Sequence, residues 1–395
     1  MSQDLLNRYP AIEDLRARAR RRIPHFAWEY LDSGTGLDQS AERNMSALQE
    51  IRLMPRFMKG PLDVDLSTEL FGVRYDMPFG IAPVGLTGLM WPGVEKILAK
   101  TAARYRIPYC LSTVATETPE TIGPAAQGMG WFQLYPPKDP DFRRDLLQRA
   151  RDSGLTTLVI TADTPAQSRR ERQLRAEVSV PPKQTFRTYW RAAIRPAWSI
   201  ATLRHGMPRF RTLEKYVKTT DIAKIGQFMN TNMGSIDWQY IEQTRKDWAG
   251  PMLIKGILSP LDAKQAIASG ADGVIVSNHG GRQFDGAPAA IDALPAVVDA
   301  ISGKGAVVFD SGIRGGLDIC RALALGANFV MLGRGFIYGV AALAERGGDH
   351  VAELLRADML SNLANLGCTD LSCLPDHLNE ARASAGNSAG TASRN

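Results

Sequence analysis

Apolar positions recur along the chain as short continuous runs, most of them closing on polar groups: FGIAPV (79–84), PYCLST (108–113), GWFQLY (130–135), TLVITAD (157–163), PMLIKG (251–256), GVIVSN (273–278), AVVFDSG (306–312) and FVMLGR (329–334). Runs of this length, rich in β-branched residues, predict strands buried on both faces, as in a parallel sheet. Between them lie helical patterns such as GVEKILAKTAARY, DFRRDLLQRARDSG, SPLDAKQAIASG and GLDICRALALG. Several end in Gly, a common helix stop. Eight strands alternating with helices predict a closed (β/α)₈ TIM barrel. The alternative, a doubly wound open sheet, more often shows a Gly-rich turn after its first strand, and no G-x-G-x-x-G occurs there. The pattern divides the chain into a helical extension (1–60), a barrel (61–380) interrupted by a long insertion after the fourth strand (164–250), and a small, polar tail (381–395) expected to be disordered.

Active sites of such barrels lie at the C-terminal ends of the strands. Here those ends carry Ser112, Gln133 and Tyr135, Thr161 and Asp163, Lys255, Ser277 and His279, Asp310, and Arg334. His279, just past a buried run, suits a general base, and Asp163 suits the carboxylate that orients it; the alternative for Asp163 is a helix cap. Arg282 and Arg170 suit a clamp for a carboxylate, because a guanidinium grips one in a bidentate way; Arg282 is the stronger candidate, beside Gly280 and Gly281, while the alternative for Arg170 is a solvated charge run in SRRERQ. DSGIRGG and LGRG follow the last two strands and offer backbone N–H groups with Arg314 and Arg334, where barrels of this kind hold phosphate. Lys255 fits either a Schiff-base amine or a cation beside a cofactor ring.

The four cysteines form no C-x-x-C pair, which argues against a disulfide framework or zinc site and suits a reducing cytoplasm. No H-x-x-x-H or H-E-x-x-H occurs, so no metal is expected. The N-terminus lacks a signal-peptide core, and no stretch approaches the roughly 20 apolar residues of a membrane span. The Arg run at 16–22 reads as the basic end of a helix starting near Pro10. Net charge is +6, but residues 183–218 hold nine Lys/Arg and one acid, a local +8, leaving −2 elsewhere.

SNHGGRQ (277–283), with FQLY (132–135), TADTP (161–165), IKG (254–256), DSGIRGG (310–316) and LGRG (332–335), resembles the FMN-dependent L-2-hydroxy-acid oxidases and dehydrogenases from about Tyr9 to Leu378. The resemblance implies FMN as cofactor, its phosphate at Arg314, Gly333 and Arg334, with Asp310 and Gly312 in the same loops. It puts Pro83, Val84, Gly85, Ser112, Gln133, Thr161, Lys255 and Ser277 around the flavin, which turns Lys255 into a cation near flavin N1. It makes His279 the base with Asp163 as partner, Arg170 and Arg282 the carboxylate clamp, and Tyr30 and Tyr135 substrate contacts. Val84 stands where the family often has Thr, and Gly315 where a polar residue is frequent. APVGLTGLMWP (82–92), with Gly85 in place of the oxidases' Ala, looks closer to the membrane-associated bacterial lactate and mandelate dehydrogenases. The likeness therefore implies oxidation of an L-2-hydroxy acid, transfer of electrons to a membrane quinone or similar carrier, a homotetramer, and a cytoplasmic location on the inner face of the membrane. An oxidase using O₂ is the alternative.

Within the insertion, Trp190, Ile194 and Trp198 are spaced i, i+4, i+8, beside a second stripe of Arg187, Arg191 and Arg195, and Pro196 interrupts both. Aromatics interleaved with Arg suit a membrane interface with anionic lipids, so 183–218 is the expected peripheral membrane contact. A lid over the active site is the alternative; no nucleic-acid partner is expected.

Overall fold

The computed structural model describes residues 3–178, 185–217, 222–234 and 236–378. Two short antiparallel strands, β1 (Thr68–Leu70) and β2 (Val73–Tyr75), precede eight parallel ones: β3 (Phe79–Ile81), β4 (Tyr109–Ser112), β5 (Gly130–Leu134), β6 (Thr157–Thr161), β7 (Met252–Ile257), β8 (Gly273–Val276), β9 (Ala306–Asp310) and β10 (Phe329–Leu332). These eight close into a barrel in the order β10-β3-β4-β5-β6-β7-β8-β9, the predicted (β/α)₈ fold. Every one of the eight runs became a strand, because each is apolar enough to be covered on both faces.

The β1–β2 hairpin covers the N-terminal end. Tyr75 packs on Phe329 at 5.4 Å, and its hydroxyl accepts a hydrogen bond from Trp131 Nε1 at 3.3 Å. At the opposite end, the register sets Ser112 beside Gln133 and Thr161 beside Lys255, bringing polar strand ends to neighbouring positions. β7 carries an irregularity between Lys255 and Ile257. Gly256 lies there with φ +103°, and a Cβ on it would meet Asp163 Cβ at 2.5 Å, so no larger residue fits between this strand and that carboxylate.

Four N-terminal helices (Gln3–Arg8, Ile12–Arg22, His25–Asp32 and Gln39–Glu50) wrap the barrel. The second does end in Arg20, Arg21 and Arg22. Arg172, just past β6, binds Glu29, Asp32 and Asp38 at 2.7, 3.1 and 2.6 Å and so fastens the third helix over the barrel mouth. A 20-residue helix, Gly347–Leu366, closes the chain's last described turn of the core.

The insertion folds into short helices, and its last, Trp238–Asp247, is built into the barrel wall: Asp247 pairs with Arg143 at 2.8 Å and Arg245 with Asp272 at 2.9 Å. The expected aromatic stripe does not exist as one surface. The chain breaks at Ile194–Arg195, and Pro196 starts a new helix, Pro196–His205, after Phe186–Ala193. Trp190 stays 59% exposed, whereas Trp198 is 4% exposed, stacked edge-on against Phe26 and donating to the Leu89 carbonyl at 3.0 Å.

The cysteine reading is also corrected. Cys368 and Cys373 are joined as a disulfide, because Gly367 ends the long helix and the short turn Leu371–Cys373 brings their Cα atoms to 6.1 Å, a separation that a disulfide spans. The expected tail (381–395) and positions 183–184 and 218 lie outside the described residues. Among those described, no helix is long and apolar enough to cross a membrane.

Candidate active site

The strand ends are linked in two hydrogen-bonded rows. Ser112 Oγ donates to Gln133 Oε1 at 2.7 Å, and Gln133 Nε2 donates to Thr161 Oγ1 at 2.8 Å. On the other side Lys255 Nζ donates to Ser277 Oγ at 2.9 Å and lies 2.7 Å from Asp310 Oδ2, while the Ser277 hydroxyl donates to the same carboxylate. Burial opposes the Lys255 charge, but Asp310 and then Asp163 outweigh it and hold the ammonium above its ordinary range. A lysine held charged is no amine nucleophile, so the Schiff-base alternative falls.

His279 follows β8 with φ +59°, ahead of Gly280 and Gly281, both also left-handed. Three such residues in succession aim the imidazole back over the barrel mouth, and a non-glycine residue in that region carries backbone strain. A Cβ on Gly281 would lie 2.4 Å from the Ala41 backbone nitrogen, so only glycine admits the helix Gln39–Glu50 this close. His279 Nδ1 lies 3.0 Å from Asp163 Oδ1. That contact fixes the proton on Nδ1 and leaves Nε2 without a protein partner among the described residues. Burial pushes the Asp163 carboxyl up, but His279 and then Lys255 pull it below the usual range, so it stays ionised.

A cleft enclosing about 980 Å³, part of it open to solvent, runs across these ends. At one end Tyr30, Tyr135, Arg170, His279 and Arg282 line it; at the other, Gly312, Arg314, Gly333 and Arg334; Pro83, Val84, Gly85, Gln133, Thr161, Lys255 and Asp310 lie along it. Ser112, Asp163 and Ser277 do not line it; they hold Gln133, His279 and Lys255 in place.

Arg282 Nη1 donates to the carbonyls of Tyr30 and Ser33, both at 2.9 Å, and its guanidinium sits 5.4 Å from the Tyr30 ring centre. Burial, then the like charges of Arg170 and Arg334, push it down to about 9. A cation so disfavoured is relieved by an incoming anion. Arg170 is aimed by Ser168 at 2.9 Å and Gln283 at 3.1 Å. Burial raises the Tyr135 phenol to about 12, so it remains a donor.

The far end is cationic as well. Arg334 donates to the carbonyls of Leu31, Gly280 and Ser33, and burial pulls it below its ordinary value. Arg314 Nε is buried without a hydrogen-bond partner, its nearest carboxylate being Glu13 at 3.7 Å. An orphaned guanidinium nitrogen facing Gly-rich backbone fits a phosphate group, and Pro83, Val84, Gly85, Gln133, Thr161 and Lys255 line the stretch of cleft that leads from it to His279, where a ring system would lie. Thus the residues present suit FMN.

The sequence reading missed supporting groups. Gln283 donates from Nε2 to the Asp163 carbonyl at 3.1 Å while accepting from Arg170. Ser311 accepts from the Gly280 N–H and donates to Asp310. Asn278 and Asn44 exchange hydrogen bonds at 2.8 Å in the buried seam below. Gln283 and Asn278 stand inside SNHGGRQ, so their place in the motif was the available signal; Asn44 had none.

A barrel that gathers an imidazole–carboxylate pair and two arginines at one end of a cleft, and arginines with glycine-rich backbone at the other, offers the groups that a flavin-dependent oxidoreductase of small acids needs. The comparisons carry this further: residues 19–380 match the family described as FMN-dependent dehydrogenase, and the chain belongs to it. It is 42% identical over 352 residues to an L-lactate dehydrogenase of Ectopseudomonas mendocina (strain ymp), covering 88% of this chain and 93% of the relative. It is 40% identical over 362 residues to one of Acinetobacter baumannii, covering 91% and 94%. A solved structure of the monotopic membrane protein (S)-mandelate dehydrogenase superposes with a TM-score of 0.88 at 36% identity, over 93% of this chain and 98% of that one. A mandelate oxidase superposes with a TM-score of 0.79 at 30% identity, over 93% and 97%. The chain is an FMN-dependent enzyme that oxidises the CH–OH group of an L-2-hydroxy acid.

Proposed function

We propose that the substrate carries an apolar side chain larger than a methyl group, and that its electrons pass to a membrane quinone from a protein seated peripherally on the bilayer. The observation that carries the substrate reading is a second cavity sharing Tyr30, Val114, Tyr135 and Arg170 with the cleft, walled further by Phe210, Met229 and Met233 of the insertion. Its walls offer apolar area next to the clamp, and burying a side chain there contributes about 25 cal/mol per Å². Gly85 widens the passage: a Cβ on it would meet Val114 Cγ2 at 2.5 Å.

In this reading Arg282 and Arg170 grip the carboxylate, and Tyr30 and Tyr135 orient the hydroxyl end. His279 Nε2 takes a proton from the substrate, and Asp163 steadies the imidazolium that results. Bound FMN supplies the two-electron acceptor. Lys255, held charged by Asp310, would be the cation offered to a flavin bound in the cleft.

The membrane reading rests on the insertion's outer side. Of the thirteen exposed large apolar residues described, seven (Phe186, Tyr189, Trp190, Ile194, Ile200, Leu203 and Met207) fall within 22 positions. They lie among Arg187, Arg191, Arg195 and Arg204. Exposed apolar side chains so dense in sequence, with cations interleaved, suit the interface of an anionic bilayer. The inner side packs through Trp198, Phe210 and Met233, so one segment serves as lid and as contact.

Anaerobic flavin bleaching against a panel of L-2-hydroxy acids tests the substrate: mandelate and 2-hydroxyoctanoate should bleach with a higher kcat/KM than lactate. Preference for lactate sinks this reading. Rapid reoxidation by O₂ with stoichiometric peroxide would move the protein to the oxidase alternative.

A further inference from the structure

The helix Ile12–Arg22 and the start of the insertion helix Pro196–His205 enclose a groove outside the active site, lined by Arg8, Arg18, Arg21, Arg22 and Arg195, with Asp14 as its single acid. We propose that this groove is a binding site for a phosphate mono- or diester.

None of the five guanidinium groups makes an ion pair with a carboxylate among the described residues. Asp14 is already engaged, its Oδ2 accepting from the Ala11 N–H at 3.0 Å. Arg18 Nε and Arg22 Nη1 converge on one backbone oxygen, Ala342 O, at 2.9 and 2.5 Å. That oxygen lies in the last turn of the helix Arg334–Leu343, whose C-terminal end offers a partial negative charge of only about half a unit. Two full charges are therefore left largely uncompensated. Arg22 is also wedged against Trp91, 4.4 Å from the ring centre, with its Nε buried and lacking any hydrogen-bond partner. Burial first, then the like charge of Arg18, pull its guanidinium below the ordinary value. Arg195 spends its donors on the carbonyls of Ile23 and Ile194, which holds its charge at the groove wall without neutralising it.

Like charges gathered this closely destabilise the fold unless an anion joins them, and arginine forks match phosphate oxygens in a bidentate way. A carboxylate satisfies one fork; a phosphate has oxygens for several. Two sources supply this chemistry: the headgroup of an anionic phospholipid, or a free phosphate compound. The lipid source is consistent with Ile194, which is 45% exposed, lines the groove and is one of the seven exposed apolar residues of the insertion. That arm rests on the membrane reading above; the site itself does not.

The test uses the FMN-saturated holoenzyme, so that phosphate does not enter the cofactor cradle. Binding of inorganic phosphate and of sn-glycero-3-phosphoglycerol is measured by calorimetry at fixed ionic strength, and sedimentation with phosphatidylglycerol vesicles is measured alongside. The double variant Arg8→Ala/Arg21→Ala removes two arginines that make no structural hydrogen bond among those described, so folding and dye-linked activity should persist. One saturable site in the wild type, weakened about tenfold or more in the variant, is expected. Weakening with the glycerol diester and vesicles alone assigns the lipid source; weakening with both soluble probes but not vesicles assigns a free phosphate. If vesicles never bind while phosphate does, the membrane reading fails and the site stands. No saturable binding of either soluble probe, with vesicle sedimentation unchanged in the variant, overturns the proposal.

Discussion

Replacing Asp163 by Asn isolates what the carboxylate does for the base. The two side chains are nearly the same size, and the Nδ1–Oδ1 contact of 3.0 Å can be kept in shape. What changes is charge and tautomer. At 3.0 Å and an effective dielectric of about 20, the attraction between a carboxylate and an imidazolium is about 5.5 kcal/mol. The amide dipole recovers part of this, and solvent in the cleft screens more, so a loss of about 3–5 kcal/mol in the transition state is expected. That corresponds to a fall in kcat of about 10²–10⁴-fold, the range general-base loss produces. FMN retention should be unchanged, because Lys255, Asp310, Arg314 and Arg334 are untouched. The assay is anaerobic stopped-flow bleaching at saturating substrate, with FMN content read from the absorbance of the purified protein. A bleaching rate within about threefold of the wild type, with FMN bound, would refute the pairing. Loss of FMN instead would make Asp163 a structural support of Lys255.

Three further outcomes follow from the same geometry. Arg282→Lys keeps charge but not the planar fork, and should raise KM about tenfold or more in steady-state assays. Trp190→Ser should reduce sedimentation with anionic vesicles, and high salt should reduce it further, with dye-linked activity intact; Trp198→Ser, which empties a buried site, should instead cost about 3–5 kcal/mol in denaturant melts.

Much of this protein was legible before any coordinates. The eight runs are apolar on both faces, and only strands covered on both sides tolerate that, so barrel and strand order followed from one-dimensional pattern. The polar residues that end those runs were legible for the same reason: a buried strand does not terminate in His, Lys or Asp unless something there requires them. The family-like SNHGGRQ stretch then supplied His279 and Arg282 together. Three things were not in the pattern. Trp190 and Trp198 are spaced alike but part company, because the break before Pro196 rotates one into the core and leaves the other in solvent. Cys368 and Cys373 meet because a helix happens to end between Leu366 and the next turn, which spacing alone does not specify. And the second cavity, like the arginine groove, is made by insertion residues placed against segments distant in sequence: Tyr30 and Tyr135 for the cavity, and the helix Ile12–Arg22 for the groove. Periodicity reports which face of an element is buried; it carries no information on which distant element comes to lie against that face, and it is the distant contact that builds a pocket.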